Sequence, residues 1–335
     1  MSVSLGGLQF RYSGESEGLV AQAAHRQVSR IRFDDRCLNS EAQDSVSTGL
    51  QVLLEEPGCE FILTDSLTVS GKGKNHRWVQ TDKYLLLVYW VNETDFDGLG
   101  RATEHVYSQL HDALVEHGYP HLVRVWNYFA DINGIEHGLE RYRHFCVGRY
   151  NAYVARDMQE EHFPSACALG HAGGDLLVYA LATKTAAQHF ENPQQASAYR
   201  YPIEYGPRSP SFARASLVEL SPTTAQLFVS GTASVVGHVT LHPDDIHLQI
   251  QVTLDNLACL LAHIGKEYAK QHDGNAPTMM IEVLKVYVRR AGDLSAIKEG
   301  IGLAYPSAPV VYLAADICRS DLLLEVDGIW NLACT

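Results

Sequence analysis

The chain has 335 residues, about right for two domains, and with 46% of residues hydrophobic and only 19% charged it excludes long disordered stretches. A formal net charge of −13 excludes a phosphate backbone as the natural partner, because nucleic-acid binding needs a basic face; an anionic small molecule stays compatible, since a pocket needs only two or three local arginines. The N-terminus lacks a basic segment followed by an apolar core, and seven cysteines are scattered without CxxC spacing, so the expectation is a cytoplasmic chain with reduced thiols and no signal peptide.

Residues 1–80 read poorly. Segments 50–54 and 60–64 suggest short strands, and 70–75 (SGKGKN) a flexible turn. The run YLLLVYWV at 84–91 is too short to cross a bilayer and fits a buried strand, so no membrane partner is expected. A helix follows at 102–117, with Val106, Leu110 and Leu114 on one face, then a strand at 122–131, a helix at 139–151 and strands at 165–169 and 176–182.

Residues 183–210 connect to the second half and end in YPIEYGPRSP, which reads equally as a linker or as the wall of a pocket. The earlier order then returns. A strand at 225–232 ends in a glycine turn, a helix at 247–271 places Leu254, Leu257, Leu261 and Ile264 at helical spacing, and a strand (278–289), helix (294–302) and strand (308–315) follow. The last strand, 322–329, is apolar apart from its acidic positions, Glu325 among them. LVRVWNYFADIN aligns with IEVLKVYVRRAG, and GGDLLVYALA with CRSDLLLEVDG, the latter setting Asp175 on Asp321 and Tyr179 on Glu325. This predicts a duplicated α+β domain: an N-terminal unit over 1–190, a linker or pocket wall over 191–215 and a C-terminal unit over 216–335.

Weaker signals are discounted. Sixteen histidines include His117 and His121, but Gly118 and Pro120 between them break a helix; with no HExxH, no metal is expected. The glycine-rich GHAGGD at 170–175 has neither GxGxxG nor Walker spacing and reads as a turn.

The C-terminal unit resembles the YjgF/RidA family through Leu227-Phe228-Val229-Ser230-Gly231, the amphipathic helix after it, Val286-Tyr287-Val288 and Leu324-Glu325-Val326. The whole chain resembles the chorismatases over roughly 80–335. Arg124-Val125-Trp126-Asn127-Tyr128, Ile132-Asn133, Glu140-Arg141-Tyr142, Phe145-Cys146 and Gly148-Arg149 carry this, with Tyr205-Gly206-Pro207-Arg208, Ser230-Gly231-Thr232-Ala233-Ser234 and Glu325. The resemblance implies two YjgF/RidA-like (chorismate-mutase-like) domains, each a mixed sheet backed by helices, in a monomer or homo-trimer. It also implies a cofactor-free enzyme that removes pyruvate from chorismate.

One chorismatase subtype hydrolyses chorismate to a dihydroxycyclohexadiene carboxylate; another yields 3-hydroxybenzoate, sometimes with 4-hydroxybenzoate. The benzoate-forming subtype carries Gly where hydrolases carry Ala, and a Cys seven residues before the active-site Glu. Gly231 and Cys318 match both markers. The implied catalytic residues are Glu325, a general acid whose apolar strand favours its neutral form, and Cys318. Cys318 has no His nearby in sequence, so it either shapes the pocket wall or takes part in ring chemistry. Two substrate carboxylates call for Arg149, Arg214 and Arg208; Tyr142, Tyr201 and Tyr205 would orient the ring or carboxylates, and Gly231 would leave room for the ring or a water. Rival expectations are a chorismate hydrolase, a YjgF/RidA-like enamine/imine deaminase and a non-catalytic carboxylate-binding protein.

Overall fold

The computed structural model describes residues 7–14, 26–35, 37–43, 45–54 and 57–334. Gln9–Ser13 (β1), Arg26–Arg32 (β2), Val46–Ser47 (β3) and Cys59–Thr64 (β4) form a small sheet in the order β1-β4-β2-β3. The first large unit contains Val69–Lys72 (β5), His76–Gln80 (β6), Tyr84–Val91 (β7), Gly98–His117 (α1) and His121–Ala130 (β8). It continues through the short hairpin Ile135–Glu136 (β9) and Leu139–Glu140 (β10), then Arg141–Val154 (α2), Ser165–His171 (β11) and Leu176–Thr183 (β12). The second contains Gln188–Phe190 (β13), Ala215–Ser221 (β14), Thr224–Thr232 (β15), a small hairpin of Val235–Val236 (β16) and Val239–Thr240 (β17), and Ile246–Gln271 (α3). Thr278–Val288 (β18), Leu294–Ala304 (α4), Val310–Ala314 (β19), Asp316–Ile317 (β20) and Leu324–Ala333 (β21) complete it.

The two sheets repeat one topology. The first runs β5-β6-β7-β12-β8-β11, the second β13-β14-β15-β21-β18-β19. In each, the only parallel strand pair among the described residues flanks the second crossover helix, β8 with β11 and β18 with β19. The sheets pack face to face. Trp126, Tyr128 and Tyr179 from one and Phe228, Tyr287 and Ile329 from the other share one buried cluster. Helices α1 and α2 cover the outer face of the first sheet, α3 and α4 that of the second. A strand covered on both sides is apolar throughout, which is why 84–91 is a continuous hydrophobic run. The architecture is α+β, each unit a mixed sheet backed by two helices.

A one-strand lateral crossing joins the units: β20 leaves the second unit and pairs with β11 of the first, Ile317 opposite Leu169. Ser230 adds a second tie, its Oγ accepting the Ala166 N–H at 2.8 Å and donating to the Ala213 carbonyl at 2.6 Å.

Several expectations are corrected. Segment 50–54 is not a strand: Val52 makes an isolated bridge to Leu313, with one hydrogen bond on either side, and the pairing goes no further. Residues 70–72 belong to β5, so only the tip of 70–75 is a turn. The helix expected at 139–151 starts at Arg141, because Leu139 and Glu140 pair with β9. Residues 322 and 323 precede the last strand. The two alignments of the halves also disagree. Tyr128 faces Leu177, and Tyr287 faces Glu325. Matching Tyr128 with Tyr287 therefore matches Glu325 with Leu177, two positions from Tyr179. A slip of two keeps every side chain on its own face, so hydrophobic alternation does not detect it.

Candidate active site

A cavity of about 370 Å³ lies where α2 and β11 of the first unit meet β15 and the 318–325 segment of the second. Every site residue expected from the sequence lines it, except Arg208.

Glu325 follows the first residue of β21 and points to the inter-sheet side, 4% exposed. Burial, then the nearby negative charge of Asp327, pushes its carboxyl up to about 8, against the pull of Arg124 and Arg214. Burial and the Asp327 charge both favour its protonated form. The opposite wall position is Gly231, where a Cβ would lie 1.8 Å from Glu325 Oε1. The missing side chain is therefore occupied by the carboxyl itself, which corrects the expectation that Gly231 makes room for a ring or water. An alanine there re-aims the acid.

Arg149 projects from α2, where Gly148 allows close approach of the helices: a Cβ on Gly148 would sit 2.1 Å from the Gly100 carbonyl oxygen of α1. Arg149 is 2% exposed, its guanidinium 4.9 Å from the Phe145 ring centroid and its Nε without a hydrogen-bond partner. Arg214, 5% exposed, donates to the Tyr201 hydroxyl at 2.8 Å and the Ala196 carbonyl at 3.1 Å, again leaving Nε unpartnered. Neither forms an ion pair among the described residues. A buried cation outside any salt bridge is costly, and both face the cavity.

Arg208 lies outside. Gly206 has φ +140°, a conformation that favours glycine, and past it Arg208 is exposed with its guanidinium 4.3 Å from the Tyr150 centroid. Arg319 lines the cavity instead, stacked 4.4 Å from Tyr205 and 5.1 Å from Tyr201 and donating to the His238 carbonyl at 2.8 Å. Tyr201, Tyr205, Phe212 and Arg214 all face inward, so the connection between the units serves as a pocket wall. Tyr142 lines the cavity from the first turn of α2.

Cys318 is positioned by the β20 crossing immediately before it. Burial, then the adjacent Glu325, pushes its thiol up to about 12, so it stays protonated and is not poised as a nucleophile. Arg289 fastens the turn that carries Cys318 and Arg319, donating to the carbonyls of Leu322 (2.7 Å), Ile317 (2.8 Å) and Arg319 (3.0 Å).

Residues 60–182 match the family model described as Chorismatase FkbO/Hyg5-like, N-terminal. The chain is 36% identical over 283 residues to a 3-hydroxybenzoate synthase of Streptomyces hygroscopicus, covering 82% of each chain. It is 39% identical over 268 residues to a chorismatase of Streptomyces rapamycinicus, 78% of each. The chain belongs to the chorismatase family. A solved chorismatase structure aligns with TM-score 0.86 at 30% identity over 97% of this chain and 98% of that one. The family likeness thus reaches into the first 80 residues, where the sequence pattern is weak.

In this chorismatase-family chain, sequence reasoning missed Arg319, Arg289 and the charges under Glu325. The Arg124 guanidinium pairs with Asp327 at 2.6 Å, both buried. A signal existed: Arg124 and Asp327 each interrupt an apolar strand, and two such interruptions of opposite sign are candidates for one another. Asp327 also lies two residues from Glu325, on the same strand face.

Proposed function

We propose that this chorismatase-family enzyme converts chorismate to 3-hydroxybenzoate and pyruvate, with Glu325 as the general acid. The observation that carries the reading is a buried carboxyl, pushed up by its burial, in the same cavity as two buried arginines whose Nε atoms have no hydrogen-bond partner. Chorismate is a dianion with an enolpyruvyl ether. Arg149 and Arg214 are suited to its two carboxylates, each offering a planar fork of donors. Tyr201, held by Arg214, and Tyr142 and Tyr205 supply hydroxyls along the walls.

Proton transfer from Glu325 to the enolpyruvyl methylene carbon lets the C3–O bond break with its electron pair leaving on the pyruvate oxygen, while the neighbouring C4 hydroxyl oxygen bonds to C3. The Glu325 carboxylate, now deprotonated, is placed to take that hydroxyl proton and return to the acid form. Opening of the resulting epoxide at C4, with the C3 hydrogen lost as the proton that the oxygen takes up, leaves an aromatic ring with its hydroxyl on C3. Chorismate supplies all atoms of both products, so no water is consumed, and a dry cavity favours this route over hydrolysis. The 36% identical relative is named for the 3-hydroxybenzoate activity, and Gly231 and Cys318 carry the benzoate-forming markers. Cys318, a neutral thiol beside the acid, acts as a wall that selects how the ring sits.

The test is chromatography of products from chorismate for the parent enzyme, Gly231→Ala and Cys318→Ala. The expected result is 3-hydroxybenzoate from the parent, and dihydrodiol or lost activity from the variants. A parent that releases only dihydrodiol, or only turns over enamines such as 2-aminoacrylate, removes the reading.

A further inference from the structure

Asp327 stands two residues beyond Glu325 on the same face of β21, 3% exposed. Its Oδ2 accepts Arg124 Nη2 at 2.6 Å and the Tyr287 hydroxyl at 3.0 Å. Tyr287 in turn lies 3.1 Å from the Tyr128 hydroxyl, so the cluster bridges the two sheets. A buried ion pair of this kind is seldom more stabilising than apolar side chains of the same volume, so stability alone does not account for it. Arg124 Nη1 is buried and has no hydrogen-bond partner, which leaves the guanidinium able to take a second carboxylate.

The titratable and charged groups around Glu325 are few. Asp327 comes from its own strand, Tyr287 from directly across on β18, Arg124 from β8, Cys167 from β11, Arg214 from the residue before β14 and Cys318 from the β20 crossing. Two are cations. Arg214 is already engaged by Tyr201 and the Ala196 carbonyl. Arg124 donates to Asp327 through Nη2 and lies 4.8 Å from the Trp126 ring centroid; Asp327 is the anion on Glu325's own strand, and the buried Lys285–Glu60 pair stands behind it, Lys285 directly across from Asp327 on β18.

We propose that Asp327 is a positioning residue for the proton donor: it holds Arg124 in an ion pair, so Glu325 is not drawn into one and keeps its proton. The proposal rests on Glu325 being the acid. Replacing Asp327 by Asn removes the anion and frees Arg124 toward Glu325, and both changes favour the carboxylate.

The experiment is the pH profile of kcat/KM for chorismate. In Asp327→Asn the alkaline limb moves to lower pH by about one unit or more. In the double variant Arg124→Leu/Asp327→Leu, which removes both charges, the limb returns close to the parent. An unmoved limb, or a rate loss equal at every pH, overturns the proposal. If Asp327→Asn does not fold, Arg124→Gln is titrated instead: its limb must move up, and an unmoved or lowered limb overturns the proposal. Glu325→Gln separates the two failures. An active Glu325→Gln sinks the general-acid reading itself, whereas an inactive one with unmoved limbs sinks only the role of Asp327.

Discussion

The two units share a strand order but not a chemistry. On the central strand of the first, β12, the inward positions are Leu177, Tyr179 and Leu181; on its counterpart, β21, they are Glu325, Asp327 and Ile329. The helices diverge the other way. Helix α2 of the first unit carries the buried Arg149 to the cavity, while the buried residues of α4 in the second are Ile297 and Ile301. One unit thus supplies a cation and the other the acid, and a duplicated scaffold holds one site at its seam where symmetry alone would place two. Repetition explains the architecture; unequal substitution on facing positions explains the chemistry.

The sharpest way to break that asymmetry is at the central strands. Glu325→Gln is expected to lower kcat by about 10²- to 10⁴-fold, the usual range for a general acid. Tyr179→Phe, on the other unit's central strand, is expected to change kcat less than tenfold. Steady-state kinetics with circular dichroism as a folding control decides it; comparable losses from both would mean the units contribute alike. Next in size is Arg149→Gln. Two charge-assisted hydrogen bonds of about 1.5–3 kcal/mol each are at stake, so kcat/KM falls by about 10²-fold or more. Arg208→Ala, outside the cavity, stays within about twofold, as surface changes usually do.

Much of this was legible in the sequence because the signals were local. Continuous apolar runs marked strands covered on both faces, and helical spacing marked the crossovers. Glu325 stood out because a carboxylate in LLLEV has no local reason to be there. What the sequence hid is non-local. Arg319 reaches the cavity only because β20 pairs with a strand of the other unit. Arg208, two residues past the Gly206 turn, misses it and lies exposed over Tyr150. Asp327 and Arg124 are far apart in the chain and become one feature only when the sheets face each other. Gly231 was flagged for the right position and the wrong neighbour, since the atom that fills its space comes from another strand.

Two glycines sharpen the contrast at a smaller scale. In the second unit, Gly231→Ala meets the mobile end of Glu325, so the fold tolerates it and activity does not: about a tenfold or greater fall in 3-hydroxybenzoate formation is expected, with little change in Tm. In the first unit, Gly148→Ala meets the Gly100 carbonyl, which is backbone and cannot step aside. Overpacking of this kind costs about 1–3 kcal/mol, so Tm falls, and activity follows only as far as Arg149 is displaced. Thermal unfolding and kinetics on the same samples distinguish the cases; a stable, fully active Gly231→Ala would show that Glu325 has slack at that position.

Two sets of buried groups, the histidines and the carboxyls, should also answer pH in opposite senses. His111 and His171 of the first unit, and His189 on β13, are lowered to about 4 from an ordinary 6.5, foremost by burial. Between those values the unfolded chain binds more protons, so stability rises with pH. Glu325, raised to about 8 by burial and Asp327, and Glu282 on β18, raised to about 7 foremost by burial, have the other sign. From the ordinary carboxyl value of 4.5 up to their folded values, the native chain holds protons the unfolded chain has released, and stability falls with pH. Above pH 6.5 the histidines no longer contribute, so the window from 6.5 to about 8 isolates the carboxyls. The urea midpoint is expected to fall across that window, and to fall less in Glu325→Gln, where Glu282 still titrates. If parent and variant lose stability equally there, Glu325 is already ionised in the folded protein at neutral pH, and the difference between β21 and β12 is one of shape and not of charge.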